Sequence, residues 1–148
     1  MPSTHSSLHY HIVFSTKNRV PSIRVEWRDR LHTYLGGIIR TMEGIPIVAG
    51  GVDDHVHMLV TLKPVHRVSD VLRDLKKSSS TWVHDEIERK AFGWQEGYGA
   101  FTVSPSNIPS VKRYIERQEE HHRKRTFREE YLELLRRHGV EFDERYLW

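Results

Sequence analysis

The stretch that governs this chain is Gly51-Val52-Asp53-Asp54-His55-Val56-His57-Met58-Leu59-Val60. Side chains alternate between the two faces of a β-strand, so residues two apart point the same way. Val56, Met58, Val60 and Leu62 therefore share one apolar face, while His55, His57, Leu59 and Thr61 share the other. Two imidazoles two residues apart on one strand face form half of a metal site. By itself the pair fits two exposed or hydrogen-bonded histidines slightly better than a metal site, because the chain has 11 histidines.

A second constellation shifts that balance. Residues 107–122 read as a helix, with Asn107 as a cap and Pro109 in the first turn, where its missing N–H costs nothing. Ile108, Val111 and Ile115 make an apolar stripe. Tyr114, Gln118 and His121 lie on another stripe, at i, i+4 and i+7. A phenol and an amide thus sit one turn apart, off the packing face. Without the histidine pair, an ordinary surface tyrosine would be the better reading.

Working outward, strands are expected near 8–16, 45–52, 55–62 and 98–104. Helices are expected near 25–42 and 69–84, the second capped by Ser69. The order β-α-β-β-α-β is the ferredoxin-like pattern, an α+β sandwich with an antiparallel sheet. It leaves one sheet face for helices and the other open, with His55 and His57 on the open one. Thr126 and Glu129 form a capping box for a last helix over 127–138, ended by Gly139. Its stripe of Phe127, Tyr131, Leu134 and Leu135 must pack on something. The aromatic tail, which includes Phe142, Tyr146 and Trp148, is expected to dock on its own domain or on a second subunit.

With 148 residues, no repeat and no linker, the chain reads as one domain over 1–148, with a core at about 8–124 and a C-terminal helix and tail at about 126–148. The absence of cysteine excludes disulfides and thiolate metal sites and suits a reducing cytoplasm. Neither a signal pattern at Met1–His5 nor a membrane-length apolar run is evident. The net charge of +3 permits nucleic-acid binding without establishing it. Local clusters say more: Lys17 and Arg19 follow the first strand, Arg73, Lys76 and Lys77 share one helix face, and six basic residues between Lys112 and Arg125 surround the tyrosine helix. Such groups can grip phosphates; a solvated charged face is the plainer explanation, above all for Arg117 among Glu116, Glu119 and Glu120.

Together, the opening Tyr10–Arg19, the strand Asp53–Leu59 and the Tyr114-x-x-x-Gln118 helix resemble the single-tyrosine HUH transposases of insertion sequences that move as single-stranded DNA. The REP-associated tyrosine transposases share that core. The resemblance runs over about residues 8–124. It implies that His55 and His57 hold a divalent metal, Mg²⁺ or Mn²⁺, that Gln118 is the third protein ligand, and that Tyr114 is the nucleophile. It also implies single-stranded DNA with hairpin ends as substrate, and a homodimer in which the tyrosine helix of one subunit completes the site of the other. Lys17, Arg19, Arg73, Lys76 and Lys77 are the expected DNA contacts. Tyr10, Tyr34, Tyr98, Tyr131 and Tyr146 match no catalytic motif and read as packing residues.

Two neighbours are open. Asp53 reads equally as an acceptor or ligand behind the histidines and as a turn residue. His121 reads as a supplement to the site or, preferably, as a solvated helix-end histidine. His9 and His11 share a strand face and read as hydrogen-bonding histidines. The chemistry favoured is metal-dependent cleavage and rejoining of DNA through a 5′-phosphotyrosine. A domesticated hairpin-repeat endonuclease, a non-catalytic nucleic-acid-binding module and a metal-dependent hydrolase are the alternatives.

Overall fold

A computed structural model describes residues 3–147. Met1, Pro2 and Trp148, which figured in the expectations for the two termini, lie outside the described residues.

Four strands, β1 (His9–Ser15), β2 (Ile45–Gly51), β3 (His55–Thr61) and β4 (Gly99–Thr102), form one sheet in the order β2-β3-β1-β4, every neighbouring pair antiparallel. With α1 (Val25–Thr41) between β1 and β2 and α2 (Val68–Glu86) between β3 and β4, this is the expected ferredoxin-like α+β arrangement. Beyond β4 come α3 (Ile108–Glu116), the single turn α4 (Gln118–His121) and α5 (Phe127–Arg137).

The alternation along β3 builds two cores. Val56, Met58 and Val60, with Ile12 and Phe14 of β1, pack against Trp27, Leu31, Leu35 and Ile39 of α1 and Val71, Leu72 and Leu75 of α2. On the other face, Leu59 and Val103 meet Ile115, Val111 and Ile108, while Val13 and Phe101 meet Phe127, Tyr131, Leu134 and Leu135 of α5.

That second face is not open, contrary to expectation. The apolar stripes of α3 and α5 cover it, because neither stripe could stay in water without losing about 25 cal/mol for each Å² left exposed. His55 and His57 are consequently 0% exposed.

Local signals hold at α5 and fail at two other caps. Thr126 and Glu129 form the reciprocal capping box, and Gly139 follows with φ +64. Ser69 does not cap α2, which already begins at Val68, and Asn107 makes no side-chain cap bond to α3. The tail folds back, with Phe142 and Leu147 packed against the α5 cluster, while Tyr146 stays 76% exposed.

Candidate metal and nucleophile site

The expected continuous helix over 107–122 is broken at Arg117, where φ is −103 and ψ 25. The break lies over the edge of the sheet. A Cβ at Gly50 of β2 would overlap the carbonyl oxygen of Ile115, so glycine lets the last turn of α3 rest on the strand backbone. The chain restarts as α4 with Gln118 turned inward and 1% exposed.

His55, His57, Tyr114 and Gln118 meet beneath this break. His55 Nδ1 donates to Asp54 Oδ1 at 2.7 Å, and its Nε2 lies 3.0 Å from Gln118 Oε1. His57 Nδ1 lies 2.8 Å from His11 Nε2, so β1 supplies the group that fixes this second imidazole. The Tyr114 and His57 rings stand edge to face at 5.8 Å. His9 takes no part and bonds instead to Thr61.

The central group is one that the sequence reading missed. Glu130 of α5, 0% exposed, reaches into the cluster. Its Oε1 lies 2.9 Å from His57 Nε2, 3.1 Å from His122 Nε2 and 3.3 Å from His55 Nε2. Its Oε2 accepts the Tyr114 hydroxyl and the Gln118 amide. A signal was available: Glu130 stands three residues after Phe127 and four before Leu134, inside the apolar stripe of its helix. A carboxylate on the buried face of an amphipathic helix needs a partner, because burying it unpaired costs several kcal/mol.

Charge follows from this packing. Burial works against charging His55, but its bonds to Asp54 and Glu130 outweigh burial and raise it to about 9. His57 and His11 are pushed down by burial, and each feels a neighbouring imidazole as well. Burial would raise Glu130, yet His57, His122 and His55 hold it far below the usual carboxylate range. Burial and then the adjacent Glu130 charge raise Tyr114.

The outlying expectations fare unevenly. Asp53 is exposed in the turn before β3 and serves through its backbone carbonyl, which accepts from Ile23 N; the carboxylate beside His55 belongs to Asp54. The reason is that β3 begins only at His55, so strand alternation does not extend back to Asp53. The His121 ring lies tilted against Tyr114 at 4.7 Å and is partly buried, whereas His122 contacts Glu130 and Gln118. His55, His122 and Glu130 each offer a ligand atom, all within 4.8 Å of one another.

Arg73, Lys76 and Lys77 lie on α2, across the sheet from the site. Arg73 pairs with Asp70 and Asp74, and the Lys76 ammonium bonds to the carbonyls of Gln95 and Gly97. Arg19 instead lines a cavity of about 610 Å³ next to the site, with Asp54, His122, Arg123, Lys124 and Arg125. Lys17 faces a neighbouring cavity with Arg24 and Arg89.

The Ile108, Val111 and Ile115 stripe fills the space over Leu59 and Val103 of its own sheet and carries Tyr114 to its own histidines.

A sequence model of the family described as "Transposase IS200 like" matches residues 4–118. The chain belongs to the IS200-like transposases. Among relatives, ISDra2 transposase TnpA of Deinococcus radiodurans is 28% identical over 118 residues, covering 75% of this chain and 84% of the relative. The transposase for insertion sequence element IS200 of Salmonella typhimurium is 29% identical over 115 residues, covering 74% and 75%. Two solved structures share the fold. A Deinococcus radiodurans protein described as a transposase superposes with TM-score 0.64 at 24% identity, over 80% of this chain and 95% of that one. A REP-associated tyrosine transposase bound to a REP hairpin gives 0.60 at 15% identity, over 82% and 74%. For an IS200-like transposase, DNA cleavage is the family activity. Among the described residues, no helix is long and apolar enough to cross a membrane.

Proposed function

We propose that this chain nicks and rejoins single-stranded DNA through a covalent link to Tyr114, with His55, His57 and Gln118 holding a divalent cation. The observation that carries this reading is that His55 Nε2 lies 3.0 Å from Gln118 Oε1 while the Tyr114 ring stands 5.8 Å from the neighbouring His57 ring. Two imidazole nitrogens and an amide oxygen suit Mn²⁺ at least as well as Mg²⁺. The cation would polarise the scissile phosphate and stabilise the departing 3′ oxygen.

The residues of the chain do the rest. A phenol is a weak nucleophile near neutrality, since its pKa is about 10. Tyr114 gains by being held in place, packed against the His121 ring and bonded to Glu130 Oε2. Its oxygen forms a bond to phosphorus as the P–O3′ bond breaks, giving a 5′-phosphotyrosine and a free 3′-OH. Attack by another 3′-OH reverses the exchange and joins new ends without ATP.

The substrate proposed is single-stranded DNA with hairpin ends, in keeping with the hairpin bound to the REP-associated neighbour. Arg19, Arg123, Lys124 and Arg125 on the rim of the adjoining cavity suit its phosphates. A homodimer remains part of the proposal as the species that holds two DNA ends together, each subunit carrying its own tyrosine.

The test is a denaturing gel of the protein mixed with labelled single strands from both flanks of its gene, with and without Mg²⁺ or Mn²⁺. A metal-dependent protein–DNA adduct, lost in Tyr114→Phe and His57→Ala, supports the proposal. Cleavage without an adduct points to a hydrolase, and binding without cleavage points to a non-catalytic module.

A further inference from the structure

We infer that Glu130 is itself a ligand of the metal, so that helix α5 completes the centre from within the chain. This rests on the metal-dependent reading above. The argument begins with lone pairs. Glu130 Oε1 faces three imidazole nitrogens, at 2.9, 3.1 and 3.3 Å from His57, His122 and His55. One carboxylate oxygen has two lone pairs, and a neutral imidazole has one N–H.

Those N–H groups are already in demand. His55 Nδ1 is committed to Asp54, and its Nε2 lies against two acceptors, Gln118 Oε1 at 3.0 Å and Glu130 Oε1 at 3.3 Å. Without metal a proton on Nε2 bridges them; a divalent cation in its place would take the nitrogen and both oxygens as ligands, releasing that proton.

The other half of the carboxylate points elsewhere. Glu130 Oε2 holds the Tyr114 hydroxyl and the Gln118 amide N–H. One side chain thus spans the centre and the nucleophile. Its position is fixed by the packing of Phe127, Tyr131 and Leu134 along α5. Phe127 also stacks on His55 at 4.2 Å. The family match stops at Gln118, so this ligand comes from a helix beyond the matched segment. A carboxylate added to imidazoles makes a donor set that favours Mn²⁺ over a purely neutral one.

The experiment is calorimetric titration of MnCl₂ into the full-length protein, comparing wild type with Glu130→Gln, Glu129→Gln and His57→Ala, each checked for folding by circular dichroism. The expected result is at least a tenfold loss of Mn²⁺ affinity in Glu130→Gln and in His57→Ala, with Glu129→Gln unchanged. Loss in His57→Ala but affinity within twofold of wild type in Glu130→Gln would overturn this inference and leave the metal-dependent function standing. No Mn²⁺ binding by the wild type would remove both. Should Glu130→Gln not fold, the anomalous map of a Mn²⁺-soaked wild-type crystal decides. A peak within direct bonding distance of Glu130 Oε1 supports ligation, and a peak on the histidines and Gln118 alone refutes it.

Discussion

Asp54 accepts a hydrogen bond from His55 at 2.7 Å, Oδ1 to Nδ1, and so turns the Nε2 of that imidazole toward Gln118 and Glu130. Its neighbour Asp53 faces solvent. An outer acceptor of this kind fixes the ring orientation and makes the other nitrogen a better donor to a metal. Asp54→Asn should therefore weaken Mn²⁺ binding about 10–100-fold, and Asp53→Asn should leave it unchanged. Titration of both variants checks the pair; equal losses would put the orienting role elsewhere.

Tyr114→Phe removes the oxygen that forms the covalent link while keeping the ring against His57 and His121. Cleavage should fall by ~10³-fold or more, as losses of a nucleophile do. Mn²⁺ affinity should change little, because the phenol touches Glu130 Oε2 rather than Oε1. Gel assay and titration of the same preparation separate the two effects.

Site assembly within one chain predicts that a His57→Ala subunit mixed with a Tyr114→Phe subunit recovers no cleavage. The packing of α3 over Leu59 and Val103 is the reason. Recovery on mixing would mean that α3 exchanges between subunits.

Gly50→Ala should cost roughly 1–3 kcal/mol, the usual penalty for forcing extra volume into a packed interior. The added methyl meets the Ile115 carbonyl, which is backbone and cannot rotate away. Chemical denaturation measures it. Because the displaced segment carries Gln118, Mn²⁺ affinity should fall as well.

His32 on α1 makes stability acid-sensitive away from the site. Burial lowers it to about 4, and its Nε2 finds no hydrogen-bond partner among the described residues. Above pH 6.5 the ring is neutral in both folded and unfolded chains. As pH falls below that, the unfolded chain takes a proton that the folded chain accepts only near pH 4. Stability is thus lost between about 6.5 and 4, by up to roughly 3 kcal/mol at one pKa unit per 1.36 kcal/mol. His32→Leu should flatten the pH dependence of denaturation across that window relative to wild type.

On the DNA side, single-strand affinity should fall with salt along a straight line on logarithmic axes. Replacing Arg19, Arg123 and Lys124 together should make that line shallower by about 0.7 for each phosphate no longer neutralised. Replacing Arg73 and Lys77 should not, since α2 lies across the sheet. Binding measured over a range of salt concentrations reads the slope.

Periodicity in the sequence was enough for the elements and for the parity of β3. Val56, Met58 and Val60 could only face a core, which left His55 and His57 together on the other side. Tyr114 and Gln118 were legible as one stripe, although the break at Arg117 was not, because it depends on a glycine 67 positions earlier in the chain, Gly50. Asp53 shares the sequence parity of His55, but β3 begins only at His55, so the carboxylate that reaches the ring is that of Asp54.

What the tertiary structure alone decided is the company those groups keep. The capping box, the apolar stripe and Gly139 made α5 a helix from local signals, but nothing local says what it covers. Only the fold lays it over the histidine face, closes the side that looked open, and delivers Glu130 to His55, His57, His122 and Tyr114. Local propensity and spacing are written in neighbouring residues. The bond between His57 and Glu130 joins residues 73 apart and exists only because two apolar surfaces bury each other.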